Sequence, residues 1–330
     1  MSTPIQLTLA CGYYDRTEAL RTGEISPRGI ELNYLANPVE ETFYRMARYR
    51  EFDVAEMSLS TYLMTLAQGA PFVAIPVFPS RMFRHSGIYV NADAGITEPQ
   101  DLAGKVVGTP EWQVTAAVWI RGFLEEEYGL EIASATYRTG GLHDAGRQEK
   151  ITPNIPAGVE VLPIPSDRTL SEMLVSGEID ALYTPRTPSP FTEGHPNIKR
   201  LFPDYRAAEE DYYARTGIFP IMHVVVIRRE VYEKNRWIAR ELFTAFERAK
   251  EASQRRYRDT SALPTLHPWL FDDISKTEAV MGGDFWRYGL DAGDKTLSTF
   301  LRYHHEQGLT EKLWTEAEIF APEAVDAIKI

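Results

Sequence analysis

The chain has 330 residues, 44% of them hydrophobic, and 47 acidic against 35 basic side chains give a formal net charge of −12. That length suggests two domains and that composition a real core, while the acidic balance argues against nucleic acid as a partner. A single cysteine, Cys11, excludes an intrachain disulfide and a Cys-based zinc site, and no run of about 18 apolar residues is present to span a membrane.

Residues 5–10 predict a first strand, entered from an N-terminus with neither a basic region nor a long apolar one. No signal peptide is therefore expected, and the expected location is the cytoplasm. The strand ends in Cys11-Gly12-Tyr13-Tyr14-Asp15-Arg16, a polar loop at the kind of strand end where open α/β sheets bind ligands. Residues 30–35 predict a second strand. A helix follows over 38–49, with Phe43, Met46 and Ala47 on one face. Val54-Ala55-Glu56-Met57-Ser58 reads as a short strand leading into a helix near 60–67, and 72–78 reads as another strand.

The segment Ser80-Arg81-Met82-Phe83-Arg84-His85-Ser86-Gly87-Ile88-Tyr89-Val90 also reads as a strand, yet it carries two arginines and a histidine. Strand side chains alternate faces, which would group Arg81, Phe83 and His85 on one side and Met82, Arg84 and Ser86 on the other. Unpaired buried cations are costly, so these positions call for protein carboxylates or a bound anion.

A second unit is expected from about residue 101. It has strands at 106–108, 135–138, 158–163 and 179–183, a helix starting at Thr109-Pro110-Glu111 and running over 112–128, a polar loop over 140–156, and a short helix over 170–176 closed by Gly177. Met222-His223-Val224-Val225-Val226-Ile227 is a strong buried-strand signal, followed by a long charged helix near 235–257. Amphipathic helices are predicted near 271–281, 297–307 and 315–320. Alternating strands and helices make the class α/β. The expected arrangement is two lobes: a discontinuous first lobe of 1–100 plus 222–330, an inserted second lobe of 101–221, and a ligand cleft between them.

Taken together, several stretches resemble the 4,5-dihydroxyphthalate decarboxylase family, itself similar to type 2 periplasmic solute-binding proteins. They are Tyr13-Tyr14-Asp15-Arg16, the 81–90 segment, Gly104-Lys105-Val106-Val107-Gly108-Thr109-Pro110-Glu111-Trp112, Gly140-Gly141 and Arg147-Gln148-Glu149-Lys150-Ile151. Further matches are Asp180-Ala181-Leu182-Tyr183-Thr184-Pro185-Arg186, Phe219-Pro220-Ile221-Met222-His223 and Gly283-Asp284-Phe285-Trp286-Arg287-Tyr288-Gly289-Leu290. Arg287 and Gly293 depart from the family pattern, which tends to have Pro before Tyr-Gly and an Asn shortly after.

The resemblance implies a two-lobed α/β fold of the type 2 periplasmic-binding-protein kind, with a helical C-terminal region. It also implies loss of CO2 from a dihydroxylated aromatic dicarboxylate, giving protocatechuate. Such a protein must hold two carboxylates, engage two hydroxyls and supply a proton. Arg81, Arg84, Arg186 and Arg16 are candidates for the carboxylates, because a guanidinium makes planar bidentate bonds and stays charged. His223, His85 and Asp284 are candidates for the proton chemistry, histidine because its pKa lies near neutrality. Tyr14, Trp112 and Tyr288 are candidates for contact with the ring, and Ser58 and Ser60 for donation to a carboxylate.

Each candidate also has a plain structural reading: a solvated arginine, a hydrogen-bonded core histidine, a helix N-cap at Asp284. Glu111, near a helix start, is a buried acid or a dipole partner. His304 and His305 point about 100° apart on a helix and do not converge on an ion. No metal and no organic cofactor are expected. The partner is expected to be the small aromatic dicarboxylate, with no nucleic acid and no membrane, and the helical C-terminal third leaves room for a homo-oligomer. The alternative is a solute-binding protein for an aromatic or other anionic small molecule, without catalysis; the missing export signal counts against it.

Overall fold

The computed structural model describes residues 3–147, 149, 151–291 and 293–325. The chain divides into two compact units, one made of Met1–Arg81, Ile221–Lys295 and Trp314–Ile330, the other of Met82–Pro220 and Thr296–Leu313.

The first unit is built on five strands: β1 (Ile5–Cys11), β2 (Ile30–Ala36), β3 (Val54–Ser58), β4 (Phe72–Ile75) and, much later in the chain, β11 (His223–Arg228). Their order across the sheet is β2-β1-β3-β11-β4. β1 is parallel to β2 and β3, whereas β11 runs antiparallel to both β3 and β4. The middle strands read as near-continuous apolar runs because both faces are covered: Val54, Ala55, Met57 and 224–227 are all fully buried. The helices follow the same logic. Val39–Tyr49 buries Thr42, Phe43 and Met46 on one face and carries Glu40 and Glu41 in its first turn, where the helix dipole favours them. Leu59–Leu66 starts directly from β3, and the Ser58 hydroxyl accepts from Thr61 N at 3.4 Å as its cap. Ile238–Arg258 lays Ile238, Leu242, Phe246 and Ala249 against the core.

The second unit has a six-stranded sheet of order β10-β5-β9-β6-β7-β8, formed by β5 (Ile88–Asn91), β6 (Val106–Thr109), β7 (Thr136–Thr139), β8 (Glu160–Pro163), β9 (Ala181–Tyr183) and β10 (Ile198–Arg200). The helix Thr115–Tyr128 is buried almost from end to end of its first ten residues. It packs on Thr296–Glu306 so closely that a Cβ on Gly122 would overlap the Tyr303 ring. Among the described residues, no helix is long and apolar enough to cross a membrane.

Two local expectations are corrected. Residues 80–90 are not one strand: Arg81 makes a single bridge to Ile221, His85–Gly87 is a 3-10 turn, and extended structure starts only at Ile88. Arg84 breaks the alternation at φ −127°, ψ 7°, and Gly87 then passes so close to the Thr184 carbonyl that a Cβ would lie 2.9 Å from it. The second correction concerns Trp112, which lies in a turn before the helix, since that helix starts at Thr115. A further helix, Tyr205–Thr216, occupies a stretch without a strong apolar period; only Tyr212 in it is buried. β5 pairs with β9 and β10, so its segment joins the second unit, as does the helix Thr296–Glu306.

Candidate active site

Several chemistry-bearing side chains of the first unit converge where β1 and β3 end. The register explains why. Ala10 is paired with Ala55, so Cys11 is the next residue beside Glu56. On the other side of β3, His223 is paired with Ser58 and Val225 with Glu56. Cys11, Glu56 and His223 therefore share one face across three neighbouring strands, with His223 and Glu56 in the diagonal relation that lets long side chains meet.

Glu56 is fully buried. A carboxylate there needs several donors, because an uncompensated buried charge costs several kcal/mol. It has them. Oε1 accepts from the Tyr14 hydroxyl at 2.7 Å and lies 2.6 Å from His223 Nδ1; Oε2 accepts from Gly12 N at 2.9 Å and faces Cys11 Sγ at 3.5 Å. Burial alone would raise the Glu56 carboxyl, but the bond and charge of His223, with Gly12 N–H and Tyr14, hold it below the usual glutamate range. Burial and then the Glu56 charge push the Cys11 thiol and the Tyr14 phenol upward, which keeps both protonated as donors. The absence of a side chain at Gly12 has a local reason, since a Cβ there would meet the Tyr14 ring at 3.0 Å and Val39 at 3.1 Å.

The His223 side chain is 17% exposed, enough for one edge to reach solvent or a ligand. The edge of the ring meets Phe43, centroids 4.8 Å apart and planes at 82°. On the other side of Tyr14, the Arg16 guanidinium lies between two aromatic faces, 4.3 Å from the Tyr14 centroid and 4.1 Å from that of Trp286. Its Nε donates to Pro79 O at 2.6 Å and its Nη1 to Asp15 at 2.8 Å. Trp286 is itself fixed by its Nε1 donating to Phe78 O at 3.1 Å. Tyr288 is buried close enough to Arg16 and Cys11 to interact electrostatically, and its hydroxyl has no hydrogen-bond partner among the described residues.

His223, Tyr14, Arg16, Tyr288 and Ser58 are thus expected residues that the first unit places at or near this cluster. Ser60, the second residue of the helix that follows β3, is fully buried. Arg81 also belongs to the first unit, but it is held within the protein: its Nη2 donates to Arg287 O at 3.0 Å and lies 3.9 Å from Asp294. Burial, opposed by Asp294, pulls its pKa down to about 10. Asp284 is exposed, meets Gln254 at 3.4 Å and Lys250 at 3.6 Å, and does not contact His223. Arg287 pairs on the surface with Asp291 at 2.9 Å.

The remaining candidates lie in the second unit. Arg84 is buried with Glu209 as its charge partner. His85 stacks on Phe123 at 4.3 Å with Phe202 and Tyr212 around it; among the described residues neither ring nitrogen has a hydrogen-bond partner, and burial, with Arg215 adding to it, lowers its pKa to about 4. Trp112 is a core residue, covered by Arg121 at 3.6 Å and edge-on to Tyr137. Arg186 is exposed on its loop. Glu111 accepts from Arg147 Nε at 2.8 Å and from Gln113 at 3.1 Å, which makes it a paired buried carboxylate. Among the described residues, no group of three or more His, Cys, Asp or Glu is arranged to hold a metal ion.

Residues of this cluster that sequence reasoning passed over are Glu56, Cys11 and Trp286. Glu56 had a legible signal: a carboxylate in the middle of a largely apolar strand is as anomalous as a cation there.

Comparison with known proteins supplies the family. A curated 4,5-dihydroxyphthalate decarboxylase of Comamonas testosteroni is 41% identical over 327 residues, 99% of each chain. The chain belongs to the 4,5-dihydroxyphthalate decarboxylase family. A second decarboxylase of that name, from Pseudomonas putida, is 45% identical over 210 residues, covering 63% of this chain and 81% of the relative. The NMT1/THI5-like family matches residues 26–136. Among solved structures, the periplasmic aliphatic sulphonate binding protein SsuA of Escherichia coli superposes with a TM-score of 0.54 at 13% identity, over 98% of this chain and 99% of that one. The fold is thus the two-lobed periplasmic-binding-protein type, and the family is one of decarboxylating enzymes.

Proposed function

We propose that this protein removes one carboxylate of 4,5-dihydroxyphthalate as CO2, leaving 3,4-dihydroxybenzoate, with His223 as the proton carrier. The supporting observation is the 2.6 Å contact between His223 Nδ1 and the buried Glu56, which holds an imidazole at an accessible strand end. The family membership directs attention to this substrate, and the chemistry matches what the residues offer.

The hydroxyl para to the departing carboxylate pushes electrons into the ring as its proton is held or removed. The carbon bearing that carboxylate accepts a proton and becomes tetrahedral. The C–C bond to the carboxylate then breaks, its electron pair restores aromaticity, and CO2 leaves. The balance is one carboxylate and one proton in, one C–H bond and one CO2 out. Each turnover consumes a proton, which His223 delivers and regains from solvent. Arg16, stacked and oriented by Tyr14 and Trp286, is the proposed anchor for the carboxylate that stays, and the partnerless Tyr288 hydroxyl is the proposed contact for a substrate oxygen. His85, boxed in by aromatic rings, has no role in the proposed chemistry.

The test is to incubate metal-stripped protein with 4,5-dihydroxyphthalate and follow CO2 and 3,4-dihydroxybenzoate. Turnover that His223→Gln abolishes supports the assignment. Binding measured by calorimetry without turnover would leave a solute-binding role, since a shared fold does not decide between catalysis and capture.

A further inference from the structure

We propose that Glu56 is a positioning residue, which fixes His223 in the tautomer protonated at Nδ1 and thereby makes Nε2 the nitrogen that carries the catalytic proton. This rests on the reading of His223 as the proton carrier.

An ionised carboxylate is an acceptor only. Glu56 is held ionised by the donors around it, so the nitrogen 2.6 Å from Oε1 must bear a hydrogen, whether the imidazole is neutral or cationic. Nε2 is then an acceptor in the neutral ring and a donor in the charged one, which is what a proton carrier needs. The groups facing Glu56 allow no other arrangement at low cost. The Gly12 N–H is a backbone donor that cannot rotate, aimed at Oε2 from 2.9 Å. Tyr14, on the same loop, donates to the oxygen that takes His223. Its ring is one of the two faces that hold Arg16. One buried carboxylate therefore orients the proton carrier and braces the stack under the proposed anion anchor.

The neutral isostere separates tautomer control from packing. In Glu56→Gln the amide oxygen must face Gly12 N–H, because the opposite orientation sets two donors against each other in a buried site. The amide NH2 then points at His223 Nδ1, which has to accept, so the ring proton moves to Nε2. Tyr14 can rotate its hydroxyl to suit. The variant should thus reverse the tautomer without removing the side chain.

The measurement is nitrogen-15 NMR of imidazole-labelled protein, which reads the tautomer directly, alongside turnover of 4,5-dihydroxyphthalate. Wild type should show His223 protonated at Nδ1, and Glu56→Gln should show it protonated at Nε2. In Glu56→Gln kcat should fall about 100-fold or more, the range of general acid–base loss, with Glu56→Asp keeping the Nδ1–H form and recovering part of the rate. On a His223→Gln background the same Glu56→Gln change should cost no further kcat, because its effect passes through the histidine. An Nδ1–H ring persisting in Glu56→Gln, or a full multiplicative loss in the double variant, would overturn the proposal. Should Glu56→Gln not fold, the wild-type spectrum still decides, since an Nε2–H ring there refutes it. A His223→Gln enzyme running at the wild-type rate sinks the reading of His223 as proton carrier, and the tautomer measurement then judges Glu56 independently.

Discussion

Two substitutions at His223 separate its chemistry from its structural work. The imidazole makes one charge-assisted hydrogen bond, at 2.6 Å to Glu56, and one edge contact with Phe43. His223→Ala deletes both. Glu56 keeps Gly12 N–H and Tyr14 OH, so the loss is that of a single bond to a charged group, about 1.5–3 kcal/mol, and not the larger penalty of a carboxylate stripped of partners. His223→Gln puts an amide N–H near the place of Nδ1 and keeps a donor on Glu56, so its stability should lie within about 1 kcal/mol of wild type, below the cost of the lost bond. Both variants lack the imidazole that carries the proton, and kcat should fall about 10²–10⁴-fold in each, equivalent to about 3–5 kcal/mol of barrier. The assays are urea unfolding midpoints and initial rates of CO2 release at saturating 4,5-dihydroxyphthalate. A folded His223→Gln protein with kcat within about tenfold of wild type, a barrier change under about 1.4 kcal/mol, would refute the argument.

Other expectations follow from individual environments. His85 titrates at about 4 in the folded protein against an ordinary 6.5; the unfolded chain binds the extra proton between those values, so this residue costs nothing above 6.5 and progressively destabilises as pH falls toward 4. At pH 5 the loss is about 2 kcal/mol; His85→Phe should recover it in urea titrations while leaving turnover intact, and an unchanged acid limb would contradict the burial argument. Gly122→Ala drives a Cβ into a Tyr303 ring that is also held by Glu126. Overpacking of about 1–3 kcal/mol should outweigh a helix-propensity gain of about 1 kcal/mol, so a higher unfolding midpoint would count against the packing described. Tyr288→Phe removes a buried hydroxyl without a protein partner among the described residues; stability should hold while kcat/KM drops about 2–10-fold, the worth of one neutral hydrogen bond, and an unaltered kcat/KM would remove Tyr288 from the site. Exhaustive chelation and dialysis should leave turnover unchanged, and a loss restored by an added divalent metal would show that the chemistry needs an ion.

Much of the framework was legible because it is written in local pattern. The apolar runs at β1, β3 and β11, the polar loop after β1 and the amphipathic face of Val39–Tyr49 all appear where periodicity and turn chemistry place them. The family resemblance extended that reading to the fold. What local pattern does not carry is which distant segments become neighbours. Glu56 and His223 stand 167 positions apart, and they meet only because β11 returns antiparallel into the middle of a sheet whose first strands are parallel. The 80–90 segment fails in the opposite direction. Its alternation is real in the sequence, yet the backbone of Arg84 leaves the extended region and a 3-10 turn follows, so residues predicted to share a face part company. Arg81 is then answered by the Arg287 carbonyl and Asp294, and Arg84 by Glu209.

The same reasoning that makes cations at 81 and 84 conspicuous applies to an anion inside β3. Glu56 is flanked by Ala55 and Met57, both fully buried, and period-two alternation does not excuse it, because its own face is buried as well. A charge in that setting persists only if donors converge on it, so a glutamate at this position in itself calls for several of them. Those donors prove to be a backbone N–H, a thiol, a phenol and an imidazole, drawn from the two strands beside β3 and the loop after β1. A purely structural carboxylate would be satisfied by groups that are themselves buried. Here two of the four, Tyr14 and His223, are only partly buried, and of these His223 alone has a second ring nitrogen to carry a proton, which is the basis for the proposed orienting role of Glu56.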